Sequence, residues 1–140
     1  MSHDLEYAKR LLAETDATCV LCKGSTVYQS AQRGVAPLLA WLDSSEDMMG
    51  FSAADKVVGR GAAFLYRLLG VRAVYAKVMS VGAVKVLRAG GVDASWGNLT
   101  ETVMNRQKNG PCPIELATRD IQEPENALYM IRMTLENMKK

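Results

Sequence analysis

One histidine, His3, and three cysteines, Cys19, Cys22 and Cys112, are all the imidazole and thiol donors the chain has. With the one histidine near the terminus, Cys19 and Cys22 have no second ligand pair to meet, so a closed zinc site of cysteine and histidine is not expected, and an all-paired disulfide framework is impossible within one chain. No apolar run approaches the ~20 residues of a membrane span. The opening "MSHDLEYAKR" has no apolar core of a secretory signal. Without an export signal, reduced thiols in the cytoplasm are the expectation. Lys and Arg total 17 against 15 Asp and Glu, a net charge of +2, too even for a phosphate-tracking nucleic-acid groove. Low-complexity tracts and long linkers are also missing, so the 140 residues suit one domain, 1–140, around one core.

What is present alternates. Residues 2–14 suit a helix, with Leu5, Tyr7, Ala8 and Leu12 near one stripe. "ATCVLCKGSTVYQS" reads as a hairpin, with strands at 17–22 and 26–29 joined by a Lys23-Gly24-Ser25 turn. "RGVAPLLAWL" suits a short helix that tolerates Pro37 in its first turn. "DMMGFS" is a short strand candidate, and a helix is expected over about 53–69, closed by Gly70. "VRAVYAKVMS" is β-rich, "VGAVKVLRAGG" helical and "VDASW" a short strand. "LTETVMNRQKNGPCPIELATRD" is mixed, with a helical start and a Pro-bounded turn, and "EPENALYMIRMTLENMKK" is a final helix. Hairpin, then repeated strand–helix–strand units, predicts a mixed sheet with crossover helices on both faces.

The 53–69 segment has a wide apolar stripe that includes Val57, Val58, Gly61, Ala62, Leu65 and Leu69. Its paired glycines suggest a backbone pressed against the sheet, with Gly61 at the contact. Ser52 and Asp55 have the spacing of a capping box, so a cap explains Asp55 as well as a site role does. Lys56 is disfavoured by the dipole of such a helix, so it is either solvated or answers an anion.

Cys19-Val-Leu-Cys22 has metal-motif spacing, but residues i and i+3 of a strand face opposite sides, and two core thiols are the expectation. Cys112 is different. "NGPCPIE" fixes it between Pro111 and Pro113 before a short helix, with Arg106 and Lys108 near in sequence. That setting favours a reactive thiol, although a small apolar side chain in a rigid turn explains it too. Met130, Met133 and Met138 on the last helix suit core packing or a dimer contact.

Four stretches in this order, "RGVAPLL", "ADKVVGRGAA", "VYAKVMS" and "NR…GPCPIE", resemble an uncharacterised bacterial and archaeal family with a cytidine-deaminase-like fold, over roughly residues 17–138. The resemblance implies a three-layer α/β/α sandwich with a mixed central sheet. It brings no established activity. A zinc deaminase places H-x-E on one helix and P-C-x-x-C at the start of the next. Here the first helix has neither His nor Glu, and Ser80, Val81 and Val84 stand at the second. Neither a metal nor another cofactor is therefore expected. The resemblance also implies that the N-termini of these two helices converge at one sheet edge, an anion-suited place. Asp55, Lys56 and Ser80 would line it, and Asn105, Arg106, Cys112 and Glu115 would close over it. Arg33-Gly34 is an addition that a plain helix start explains equally.

The favoured function is a metal-free small-molecule binding domain on this scaffold, for a nucleotide-like or anionic ligand. The alternatives are an enzyme with Cys112 as nucleophile and Asp55, Lys56 or Glu115 as acid–base partner, and a protein-interaction module. The partners in view are a small molecule and a second copy of the chain, with no nucleic acid and no membrane.

Overall fold

The computed structural model describes residues 3–104 and 110–139. The elements are α1 (His3–Glu14), β1 (Cys19–Lys23), β2 (Thr26–Ser30), α2 (Ala36–Asp43), β3 (Ser52–Val58), α3 (Arg60–Leu69), β4 (Ala73–Ser80), α4 (Val81–Ala89), β5 (Asp93–Thr100), α5 (Pro113–Thr118) and α6 (Pro124–Met138). They build a mixed α/β protein around one five-stranded sheet of order β2-β1-β3-β4-β5. β1 runs antiparallel to both its neighbours, whereas β3, β4 and β5 are parallel.

The hairpin forms where expected. Lys23 pairs with Thr26 across a two-residue turn, and Gly24 takes φ 60°, a left-handed value that glycine adopts without a Cβ clash. Helices cover both faces of the sheet, but not by the expected route. The strand order advances in one direction through β3-α3-β4-α4-β5, so both crossover helices fall on the same face. There α3, α4 and α6 pack together over a core that includes Leu21, Phe64, Leu65, Met79, Leu87 and Ile131. The opposite face is covered by α1, which buries Ala8 and Leu12 against Val20, Cys22 and Ala54. Tyr7 lies outside that contact, 37% exposed.

The largest correction concerns residues 52–58. They form a strand, not the first two turns of a helix, because β1 pairs on one side and β4 on the other. Ladder bonds on both edges outweigh the mild helix preference of Ala-Ala-Asp-Lys. Ala53 and Ala54 are small because helices press on both faces of β3. Ser52 and Asp55 therefore form no capping box, and Lys56 meets no helix dipole. α3 starts only after Gly59 and ends, as expected, at Gly70 in the left-handed region with φ 80°.

Other boundaries move for similar reasons. "DMMGFS" is mostly loop, with Met48 and Phe51 tucked into the core. β5 runs on to Thr100, because its parallel register with β4 continues to the Ser80–Thr100 pair. On α6 the core face is Ala127 and Ile131, while Met133 and Met138 are exposed. None of the helices among the described residues is long and apolar enough to cross a membrane.

Candidate functional site

The strand register decides the centre of the site. Cys19 on β1 is the cross-strand partner of Asp55 on β3, so both side chains emerge on the α3 face. Tyr66 comes down on them from the middle of α3. Its hydroxyl donates to Asp55 Oδ2 at 2.7 Å and lies 3.0 Å from Cys19 Sγ. With the phenol O–H directed at the carboxylate, the thiol S–H donates to the phenol oxygen. Tyr66 is fully buried, Cys19 is 2% exposed and Asp55 8%. The chain Cys19–Tyr66–Asp55 is thus a polar thread through an apolar core, every member satisfied. Cys22 points to the other face, under α1, as the alternation of a strand requires.

Burial sets the electrostatics of the thread. It pushes the Asp55 carboxyl up to about 6, against the hydrogen bonds from Tyr66 and the Val57 and Lys56 backbone N–H groups, which favour the charged form. Burial, with the Asp55 charge beside it, also raises Cys19 and Tyr66 well above their ordinary values. Cys22 is pushed up to about 11 by burial and then by Asp4.

Asp55 does not end in packed core. It borders a cavity of about 550 Å³ between β3, the segment before α2, the start of α3 and the chain around Cys112. Val35, Val57, Ala62, Val103 and Ile114 give it apolar walls. Lys56 and Arg33 border it as exposed side chains, and neither makes an ion pair among the described residues.

Glu115 closes one wall. Its Oε1 accepts the Arg60 N–H, the first free donor of α3, and its Oε2 accepts the Thr102 hydroxyl at 3.0 Å. A carboxylate from a distant part of the chain thus caps the positive end of α3. Gly59 permits this approach, since a Cβ there would overlap Glu115 Oε1. The Arg60 side chain donates to the carbonyls of Thr118 and Ile121, which ties α5 beside the same helix end. The anion-suited end of α3 is therefore already occupied by the protein's own anion.

The family model TM1506, a domain of unknown function (DUF1893), matches residues 7–135. The chain belongs to the DUF1893 family. A crystal structure of a DUF1893 family protein (TM1506) from Thermotoga maritima is similar, with a TM-score of 0.84 and 22% identity over 98% of this chain and 92% of that one. At that identity the likeness carries the fold alone. No curated protein matches the chain.

Of the site residues expected from sequence, this DUF1893 chain brings Asp55, Lys56, Cys112 and Glu115 to one cavity, with Arg33 and Gly34 beside them. Ser80 is elsewhere: it is fully buried as the N-cap of α4, and its Oγ accepts the Ala83 N–H at 3.0 Å. Asn105 and Arg106 lie outside the described residues. Cys112 is half-buried at the start of the six-residue α5, its N–H donating to the Val103 carbonyl at 2.9 Å. Sequence reasoning missed Tyr66. The signal was there: it falls four residues after Ala62 and three before Leu69, on the buried stripe, and a buried tyrosine tip needs a polar partner.

Proposed function

We propose that this protein is a metal-free small-molecule binding domain on a cytidine-deaminase-like three-layer scaffold, working in the cytoplasm. The observation that carries the reading is the 550 Å³ cavity, within the range of metabolite-sized sites, with apolar walls and few convergent polar groups. A nearly buried carboxyl with a raised pKa at its border supports the reading, since perturbed carboxyls gather at functional sites. The deaminase-like part of the reading rests on the family resemblance and is supported by a mixed five-stranded sheet with helices on both faces.

A thermal-shift screen of anionic and nucleotide-like metabolites tests it. A ligand at a hundredfold excess over its Kd stabilises by about 2.7 kcal/mol, and Val57→Trp, which fills the cavity, should abolish the shift. A screen in which no compound raises the melting temperature of the parent, or in which Val57→Trp responds equally, counts against the cavity.

A second reading, a cysteine-dependent enzyme, has one observation in its favour: Cys112 shares the cavity with Asp55 and Lys56. Cys19 and Cys22 are buried with raised pKa values, so Cys112 should alkylate first with iodoacetamide. A time course by mass spectrometry ranks the three. If Lys56→Ala slows Cys112, the cavity activates the thiol. If Cys112 reacts no faster than the two strand cysteines, the enzyme reading falls.

A further inference from the structure

Charge is distributed along the cavity with a definite polarity. Inside are two carboxyl groups. Both oxygens of the Glu115 carboxyl are engaged, by the Arg60 N–H and the Thr102 hydroxyl. Asp55 is not so fully held. Tyr66 takes Oδ2 at 2.7 Å, whereas Oδ1 receives a long bond of 3.4 Å from the Val57 N–H, with the Lys56 N–H also near the carboxylate. A carboxylate has about four acceptor positions, so Asp55 keeps capacity toward the cavity it borders. No cation among the described residues pairs with it. Lys56, the next residue along the strand, lies exposed just past the end of the β1–β3 pairing. On the open side the sign reverses: Lys56 and Arg33 stand exposed there, without an acidic partner among the described residues. Between the two ends the walls are Val35, Val57, Ala62, Val103 and Ile114.

A buried carboxylate without a cation is costly, and a charge-assisted N–H donor is the group that best relieves it. A negative group pushed inward would meet Asp55 and Glu115 and be repelled. We propose that the cavity takes an amphoteric ligand with an apolar, flat body, whose inner end presents N–H donors of the amidine or aminated-ring type to Asp55 and whose outer end presents a negative group to Lys56 and Arg33. Tyr66 is the positioning residue: it fixes Oδ2 and so turns Oδ1 to the ligand. This inference rests on the reading of the cavity as a binding site and adds the ligand's chemistry and orientation.

Three probes of one shape test it: 4-amidinobenzoate, benzamidine and benzoate, titrated at neutral pH while the methyl signals of Val57, Val103 and Ile114 are followed by NMR. Both amidines should move these signals, and benzoate should bind at least about tenfold more weakly, a difference of about 1.4 kcal/mol. Asp55→Asn should weaken both amidines about tenfold. Tyr66→Phe should weaken them severalfold and serves as the second variant should Asp55→Asn fail to fold. Arg33→Ala combined with Lys56→Ala should weaken 4-amidinobenzoate and spare benzamidine. Benzoate binding as tightly as the amidines at these methyls, or amidine affinity indifferent to Asp55→Asn, overturns the polarity while leaving a binding cavity. So does a 4-amidinobenzoate affinity untouched by the double variant. No movement of these methyls with any of the three probes overturns the cavity reading as well.

Discussion

Replacing Asp55 by Asn should make the protein more stable than the parent at pH 8 and no more stable at pH 4. The cause is the position of the carboxyl. It is 8% exposed, and burial lifts its pKa from 3.8 to about 6. A carboxyl with a raised folded-state pKa contributes stability that is fully present below its unfolded value and lost as pH rises through the folded one. The loss therefore falls between about pH 4 and pH 6, and it is on the order of 3 kcal/mol at 1.36 kcal/mol per pKa unit. The groups facing Asp55 are Cys19 from β1 and Tyr66 from α3. Both stay protonated through this range, since their own values are raised. The difference in melting temperature, Asp55→Asn minus parent, should therefore grow by on the order of 10 °C between pH 4 and pH 8. Taking the difference removes every titration common to both proteins. A difference that stays flat across the range would place the Asp55 carboxyl in water and remove the electrostatic ground for a ligand at that end of the cavity.

The same residue shows what the sequence could and could not tell. β4 was legible because Val74, Tyr75 and Val78 lie in a β-rich run. The hairpin was legible because Gly24 sits between two strand-like stretches. The opposite facing of Cys19 and Cys22 followed from alternation alone. Residues 52–58 were misread because nothing local makes Ala-Ala-Asp-Lys a strand; its partners are β1, some thirty residues earlier, and β4, some twenty later. That one misreading moved Asp55 from the middle of a strand to a helix start, and it concealed the contact with Tyr66, which exists only because β3 and α3 are separate elements. Asp55, Lys56, Cys112 and Glu115 were nevertheless grouped, through the family resemblance rather than through residue spacing. What Glu115 does there was invisible, since its partner, the Arg60 N–H, is fifty-five residues away. Ser80 is expected at the site because it begins a helix, and it does begin α4, but its hydroxyl caps that helix and the residue is fully buried, away from the cavity that Asp55 borders.

Gly61→Leu should lower the melting temperature sharply, for a reason different from the one its sequence suggests. The thin middle of α3 reads as a backbone lying close to the sheet. In the structure Gly61 faces away from the strands, toward α5 and α6. A Cβ there would overlap Ile114 Cγ2 and lie 3.4 Å from Ile131 Cδ1. Ile131 is fully buried in α6, so it has no direction in which to retreat. Ile114 can retreat only if α5 moves, and Arg60 ties α5 to α3 through the Thr118 and Ile121 carbonyls. Overpacking in a filled core costs about 1–3 kcal/mol, and a whole leucine at a site closed on two sides belongs at the upper end. At this chain length that is on the order of 10 °C in melting temperature. Gly61→Ala adds only the Cβ, which overlaps Ile114 Cγ2 alone, so it asks for a smaller displacement of α5 and should cost less. The pair also separates stability from function. Gly61 and Ile114 both border the cavity, so Gly61→Ala should fold and still narrow the site. A Gly61→Leu protein that melts with the parent would mean that α5 yields freely, and the wall holding Glu115 against the end of α3 would then be no fixed part of the site.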